Sequence, residues 1–218
     1  MFNPAMDNGA SVVAYRGWAY GTAGWEPPHY TVDEIPSLQN GAMTPVVMSF
    51  VCLNGDFSAA DACFGEVFTR QGSSSPESFR GAVAFIGNGE HWSHTRFNDA
   101  MAISTFEKII LPEITDLGGL MNASKVRFYD YFPHEVDAET FGEESVEFYF
   151  HIYNLLGDPA VPVAAPLHDL VVQVAAENQP ALVGLRDVEM PHPVRDHVVD
   201  AGFQPLGDKG LKDVGLNG

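Results

Sequence analysis

The sequence predicts an α/β fold with a mostly parallel sheet. Short runs at residues 11–15, 45–51 and 81–87 are apolar nearly throughout, as strands covered on both faces are. Segments with helical apolar spacing separate them. That alternation favours parallel pairing, with helices on the faces of the sheet.

The elements follow in order. Gly9 closes a preceding helix, and residues 11–15 form the first strand. Residues 16–28 are a glycine- and aromatic-rich loop with Gly17, Trp18, Tyr20, Gly21, Gly24, Trp25 and Pro27-Pro28, suited to line a site or cap a core. One helical turn is expected within 31–38. After the strand 45–51 comes a helix over 59–70, with Ala62, Cys63, Val67 and Phe68 on its apolar face. A Ser/Gly/Pro loop at 71–78 precedes the strand 81–87. A helix covers 98–110, and Pro112 starts or breaks a short one ending at Leu117, before Gly118-Gly119. Residues 126–132 look strand-like. Residues 143–155 form a helix closed by Gly157, and 160–163 a short strand.

Beyond Pro166 the composition shifts. Residues 1–165 read as one domain, and 166–218 as a β-type tail with strands at 167–176 and 181–188, the expected start of a β-sandwich.

Lys and Arg total 11 against 29 Asp and Glu, a net charge of −18. Such acidity disfavours nucleic acid and anionic membranes, which need clustered Lys and Arg. No apolar run reaches the length of a membrane helix. Residues 1–7 lack the basic and apolar regions of a signal peptide. As written the chain is expected in the cytoplasm, unless it is a piece of something longer.

Chemistry concentrates around Cys52. It follows the second strand and precedes the turn Asn54-Gly55-Asp56, at the carboxyl edge where open α/β sheets keep their ligand crevice. Backbone N–H groups there stabilise a thiolate and a developing oxyanion. The alternative is an inert buried thiol. A reactive thiol also needs a base. His91 and His94 follow the third strand and reach the same edge, although either could simply satisfy loop hydrogen bonds. His29 is a weaker candidate, and His151 falls on an apolar helix face as a core residue. With two cysteines, Cys52 and Cys63, and no second cluster beside His91 and His94, zinc is rejected. Asp56, Asp61, Asp99 and Asp158 could contribute to structural calcium, but no contiguous calcium loop is present. No cofactor is expected.

Several blocks resemble the gingipain family of cysteine endopeptidases. Residues 13–17 (Val-Ala-Tyr-Arg-Gly) resemble the strand leading to the family's catalytic His-Gly turn. Residues 49–57, Ser-Phe-Val-Cys-Leu-Asn-Gly-Asp-Phe, resemble its nucleophile strand. Residues 63–66, 81–86 and 157–160 resemble the elements that follow. The resemblance spans roughly residues 8–163 and implies a caspase-like three-layer sandwich, present here in part as the C-terminal portion of the catalytic domain.

It further implies Cys52 as nucleophile and the N–H groups of Cys52 and Ala19 as the oxyanion site, with a protein or peptide as substrate. Trp18 occupies the position of the family's catalytic His, and an indole only donates. The base would then come from His94 or His91. Family members are typically secreted, so an extracellular or surface location is expected if the chain belongs to a longer secreted precursor. The competing expectation is an inactive pseudopeptidase, whose Trp18, Tyr20, Trp25 and Trp92 line a binding cleft. A third is a fragment unable to fold alone. The missing leading strands would leave an apolar sheet edge open.

Overall fold

In the computed structural model, residues 2–72, 75, 78–111 and 113–163 are described, together with the backbone of 170–176 and 179–184. The chain runs α1 (Phe2–Asp7), β1 (Val12–Arg16), β2 (Trp18–Ala19), β3 (Gly24–Glu26), β4 (Tyr30–Thr31), β5 (Val46–Ser49) and α2 (Phe64–Thr69). It continues through β6 (Ala84–Asn88), α3 (Thr95–Ile109), α4 (Leu117–Tyr131), α5 (Ala138–Phe141), α6 (Val146–Ile152), β7 (Tyr153–Gly157), β8 (Leu170–Ala176) and β9 (Gln179–Gly184).

The main sheet has the order β7-β6-β5-β1-β8-β9. Its four central strands are parallel, and β7 and β9 close the edges antiparallel. Val12 and Ala14 of β1 face one core with Met48 and Ile86. Val13 and Tyr15 face the other with Val47 and Phe85. This period-two alternation, apolar on both sides, explains the continuous hydrophobic runs. Helices α3, α4 and α6 cover the first face through Phe97, Leu120, Phe128 and Tyr149. The second is covered by α1, α2 and the small antiparallel sheet β2-β3-β4, through Phe2, Phe64, Phe68 and Trp25. The three expected layers are present.

Several elements depart from expectation. The loop 16–28 contains β2 and β3, which bury Trp25 completely. The helix expected over 59–70 starts only at Phe64, because Cys63 and Glu66 form a reciprocal cap there; Cys63 N–H donates to Glu66 Oε2 at 3.0 Å. The segment 126–132, expected to be strand-like, is helical through Tyr131, the last residue of α4, with Phe132 as its C-cap. Asp116 caps that helix by accepting from Gly119 N–H at 2.7 Å, so Gly118-Gly119 lies inside the first turn. Leu117, Leu120, Met121, Ser124 and Phe128 bury one face of α4 and override local preference.

The last helix stops at Ile152. Lys125 Nζ donates to the carbonyls of Phe150 and Tyr153 at 2.6 and 3.0 Å, and the chain turns into β7. His151 is exposed, not in the core; Val146, Tyr149 and Ile152 are the buried residues of α6, with Phe148 packed beside them. Residues 160–163 contribute one isolated bridge, Asp116 to Pro162, instead of a strand.

The strands expected after Pro166 correspond to β8 and β9. β8 pairs parallel with β1 from Val12↔Leu170 to Arg16↔Val174, so the edge of β1 expected to lie open is paired. Residues 185–218 of the expected tail lie outside the described residues.

Candidate active site

Three parallel strands end on one edge and deliver the candidate residues there. β1 leads through Arg16 and Gly17 to Trp18, β5 through Phe50 and Val51 to Cys52, and β6 to the segment holding His91, Ser93 and His94. β5 lies between the other two strands, so the thiol emerges between them.

The loop after β5 is held by backbone hydrogen bonds. Phe50 N–H donates to the Tyr15 carbonyl at 2.9 Å, Leu53 N–H to Glu90 at 3.2 Å and Gly55 N–H to Asn88 at 2.9 Å. Leu53 follows Cys52 with φ 62°, a left-handed conformation uncommon outside glycine. Such strain persists only where surrounding contacts enforce it. Gly55 permits the close approach to β6: a Cβ there would meet the Gly87 carbonyl oxygen at 2.9 Å.

A buried polar network ties this loop to the small sheet. Trp25 Nε1 donates to Ser49 Oγ at 2.9 Å, and Ser49 Oγ donates to Asn54 Oδ1 at 2.8 Å. Asn54 Nδ2 then donates to the carbonyls of Gly21 (3.1 Å) and Gly24 (3.0 Å). Asn54 and Ser49 are both fully buried. Neither was singled out from sequence. The readable signal was polar residues flanking an apolar run, because buried polar groups require partners.

The Cys52 thiol is half-buried. Its Sγ lies 3.0 Å from Ser93 Oγ and 3.8 Å from the Ser93 carbonyl oxygen. Among the described residues no imidazole hydrogen-bonds the sulfur. His94 is the N-cap residue of α3; its backbone N–H donates to Tyr149 Oη at 2.5 Å, and Tyr149 O–H donates back to its carbonyl at 3.2 Å. Its ring Nδ1 stands 3.9 Å from Glu144 Oε1. His91 is exposed, with its ring edge-on to Trp92. His29 pairs with Glu26 at 2.8 Å.

Trp18 is 62% exposed, so its indole does not occupy the core of the site. Its backbone is anchored by Tyr15 Oη, which lies 3.3 Å from both Trp18 N and O and donates to Pro27 O at 3.0 Å. Burial pushes the Tyr15 phenol up to about 12, so it stays protonated and donating. Ala19, the other oxyanion candidate, pairs with Trp25 in the small sheet. Arg16 Nε binds Asp99 Oδ1 at 2.5 Å and joins the end of β1 to α3. Asp99 is therefore engaged by a cation.

Tyr20 (53%) and Trp92 (62%) are exposed like Trp18, whereas Trp25 is a core residue and lines no cleft. Among the described residues no cluster of three or more His, Cys, Asp or Glu is placed to hold a metal ion. Nor is any helix among them long and apolar enough to cross a membrane.

Comparison with known proteins places this geometry. Gingipain R2 of Porphyromonas gingivalis is 33% identical over 66 residues, 30% of this chain and 9% of its own length. The crystal structure of the Arg-specific cysteine proteinase gingipain R superposes with a TM-score of 0.56 at 23% identity, covering 73% of this chain and 35% of that one. A further protease structure gives 0.62 at 19% identity, over 81% of this chain and 40% of its own. The chain thus spans less than a tenth of that curated relative and well under half of each structure. The fold is the caspase-like α/β architecture of the gingipains. The model of peptidase family C25 matches residues 1–164, well over half of the chain, and this protein belongs to that family.

Proposed function

We propose that this chain is a cysteine-type peptidase domain acting on protein or peptide chains, with Cys52 as nucleophile. The observation that carries the reading is the half-buried thiol on the loop after β5, between the strand ends that deliver Trp18-Ala19 and Ser93-His94. The sulfur would attack the scissile carbonyl carbon. The oxyanion formed would accept from the N–H groups of Cys52 and Ala19. The proton lost by the thiol would pass through a histidine to the departing amine, and water would release the acyl group.

His94 suits the base role better than His91. It is adjacent to the residue that touches the sulfur, and Glu144 stands beside its ring as a third, orienting group. A location outside the cell is the matching proposal if the chain forms part of a secreted precursor.

A second reading is a peptide-binding relative with little turnover. It is favoured by Trp18, which cannot accept a proton, and by the serine that the thiol has as neighbour. The test is cleavage of a mixed peptide pool by the purified protein and by Cys52→Ala. Cleavage lost in the variant supports the peptidase. Peptides retained uncut by both proteins, with a change in tryptophan fluorescence, support the binding module.

A further inference from the structure

We propose that Ser93, oriented by Asn98 and Tyr153, donates a hydrogen bond to the Cys52 sulfur and stabilises its thiolate without an imidazolium. The inference rests on the reading of Cys52 as a reactive thiol. Four residues form an unbroken polar chain. Tyr153 Oη lies 2.7 Å from Asn98 Oδ1, Asn98 Nδ2 lies 3.0 Å from Ser93 Oγ, and Ser93 Oγ lies 3.0 Å from Cys52 Sγ. Asn98 is 3% and Tyr153 1% exposed. Both stand in the apolar layer between α3 and the sheet, where polar side chains need a reason.

The direction of the chain follows from its buried end. Tyr153 is held far above the ordinary phenol range by burial, so its hydroxyl is a permanent donor. It donates to the carboxamide oxygen of Asn98, which turns the amide nitrogen toward Ser93. Ser93 Oγ therefore accepts from Asn98 and has its own hydrogen to give, with the sulfur at 3.0 Å. A thiolate can only accept, so the polarity of the chain matches the ionised state. The neutral thiol can instead donate to the Ser93 carbonyl oxygen, 3.8 Å away. Ser93 touches the reacting atom; Asn98 and Tyr153 act through it as positioning residues.

Other titratable groups surround this corner. Tyr149 of α6 holds the backbone of His94 and also neighbours the Ser93 side chain, and His94 faces Glu144. Arg16 of β1 is paired with Asp99 of α3, and the Glu90 carboxylate accepts from His91 N–H at 2.7 Å. None of these side chains hydrogen-bonds the sulfur among the described residues, which leaves Ser93 as the local donor.

The test is the rate of iodoacetamide alkylation of the whole chain, mapped to Cys52 by mass so that the buried Cys63 does not contribute. At pH 7, Ser93→Ala should alkylate about tenfold more slowly, the loss of roughly one hydrogen bond to a charged acceptor. Ser93→Thr keeps the hydroxyl and should stay within about twofold. Tyr153→Phe frees the Asn98 amide and should slow the reaction by roughly threefold. Above about pH 10 the gaps should close or reverse, because an ionised thiol without the bond is the better nucleophile.

A folded Ser93→Ala that reacts as fast as the parent overturns the proposal. So does a Ser93→Thr as slow as Ser93→Ala, with a gap that persists at high pH. If Ser93→Ala fails to fold, an unchanged rate in Tyr153→Phe is the overturning result. Peptide cleavage measured in parallel separates the two readings. The expected order of alkylation without cleavage retains the relay and removes the peptidase, while cleavage with equal alkylation in every variant removes the relay alone.

Discussion

Trp25 Nε1 donates a 2.9 Å hydrogen bond to Ser49 Oγ, so a tryptophan of the small sheet holds the last residue of the strand that leads to Cys52. The indole also stacks on Tyr15, at 4.6 Å between ring centroids and 18° between planes. One buried side chain therefore serves both the core and the site. The exposed Trp18, seven positions earlier, serves neither in this way.

These two tryptophans should respond oppositely to truncation. Trp25→Ala is expected to cost about 3–5 kcal/mol of unfolding free energy, from lost packing and the loss of the donor to Ser49 Oγ. Trp18→Ala should stay within about 0.5 kcal/mol. Urea denaturation read by circular dichroism checks both, with an unchanged slope showing that stability alone has moved.

Asn54→Leu removes the amide that satisfies Ser49, Gly21 and Gly24. The carbonyls of the two glycines and the Ser49 hydroxyl would lose partners in a buried setting. The expected loss is roughly 2–4 kcal/mol, and Cys52 alkylation should change because its loop is no longer fixed to the small sheet. A variant as stable as the parent would show that water replaces the amide.

Gly24→Ala places a Cβ 2.2 Å from the Tyr30 carbonyl oxygen and 2.7 Å from Thr31 Cα. Backbone atoms cannot rotate out of the way as a flexible side chain can. The strands β3 and β4 must separate, at a cost of roughly 1–3 kcal/mol or more. Gly21→Ala has open space around its Cβ, and its cost should come from the left-handed backbone alone (φ 55°). Melting temperatures of the two variants should fall in that order.

Under the peptidase reading, Trp18→His restores an imidazole in the segment after Gly17. Because His94 is the proposed base, peptide hydrolysis should change little; a rise of about 10²–10⁴-fold, the usual contribution of a general base, would show that the parent lacks one. An unchanged rate, in a variant that melts with the parent, would place the base elsewhere. His94→Ala is then the decisive second measurement.

Glu107 joins α3 to α4 by accepting from Arg127 Nε at 2.5 Å and from Tyr131 Oη at 3.0 Å. Burial pushes this carboxyl up, but the hydrogen bonds from Arg127 and Tyr131 outweigh burial and hold it below the usual carboxylate range. A depressed folded value means that the stabilisation is full above the unfolded value and is lost as pH falls through the folded one. Both side chains are partly exposed, so the effect is screened. Glu107→Gln should cost less than about 1 kcal/mol at pH 7, and the difference should vanish in strong acid and shrink in high salt. Denaturation midpoints at pH 7 and pH 3 measure it.

The strands β1, β5 and β6, the alternation of α and β, and the arrival of Cys52, His91 and His94 at one sheet edge were legible from residues alone, while Trp18 was legible through the family resemblance. Burial on both faces makes every position of a central strand apolar, and that is a local property which pattern reading detects. The family blocks lie on those same strands. Helix α4 was not legible: two glycines at its start and β-prone residues at its end argue against helix. The Asp116 cap and a face packed against the sheet decide it.

Cys52 itself was readable, but its surroundings were not. Ser93 lies 41 positions from Cys52, and Asn98 lies 55 from Tyr153. Sequence by itself determined which strands form the core and which edge carries the chemistry, because hydrophobic periodicity is written within each segment. Only the tertiary structure decided that the thiol meets a hydroxyl and that Trp25 is core while Trp18 is surface. Hydrogen-bond partners are chosen by which loops the packed layers bring within 3 Å, and no local pattern encodes that distance.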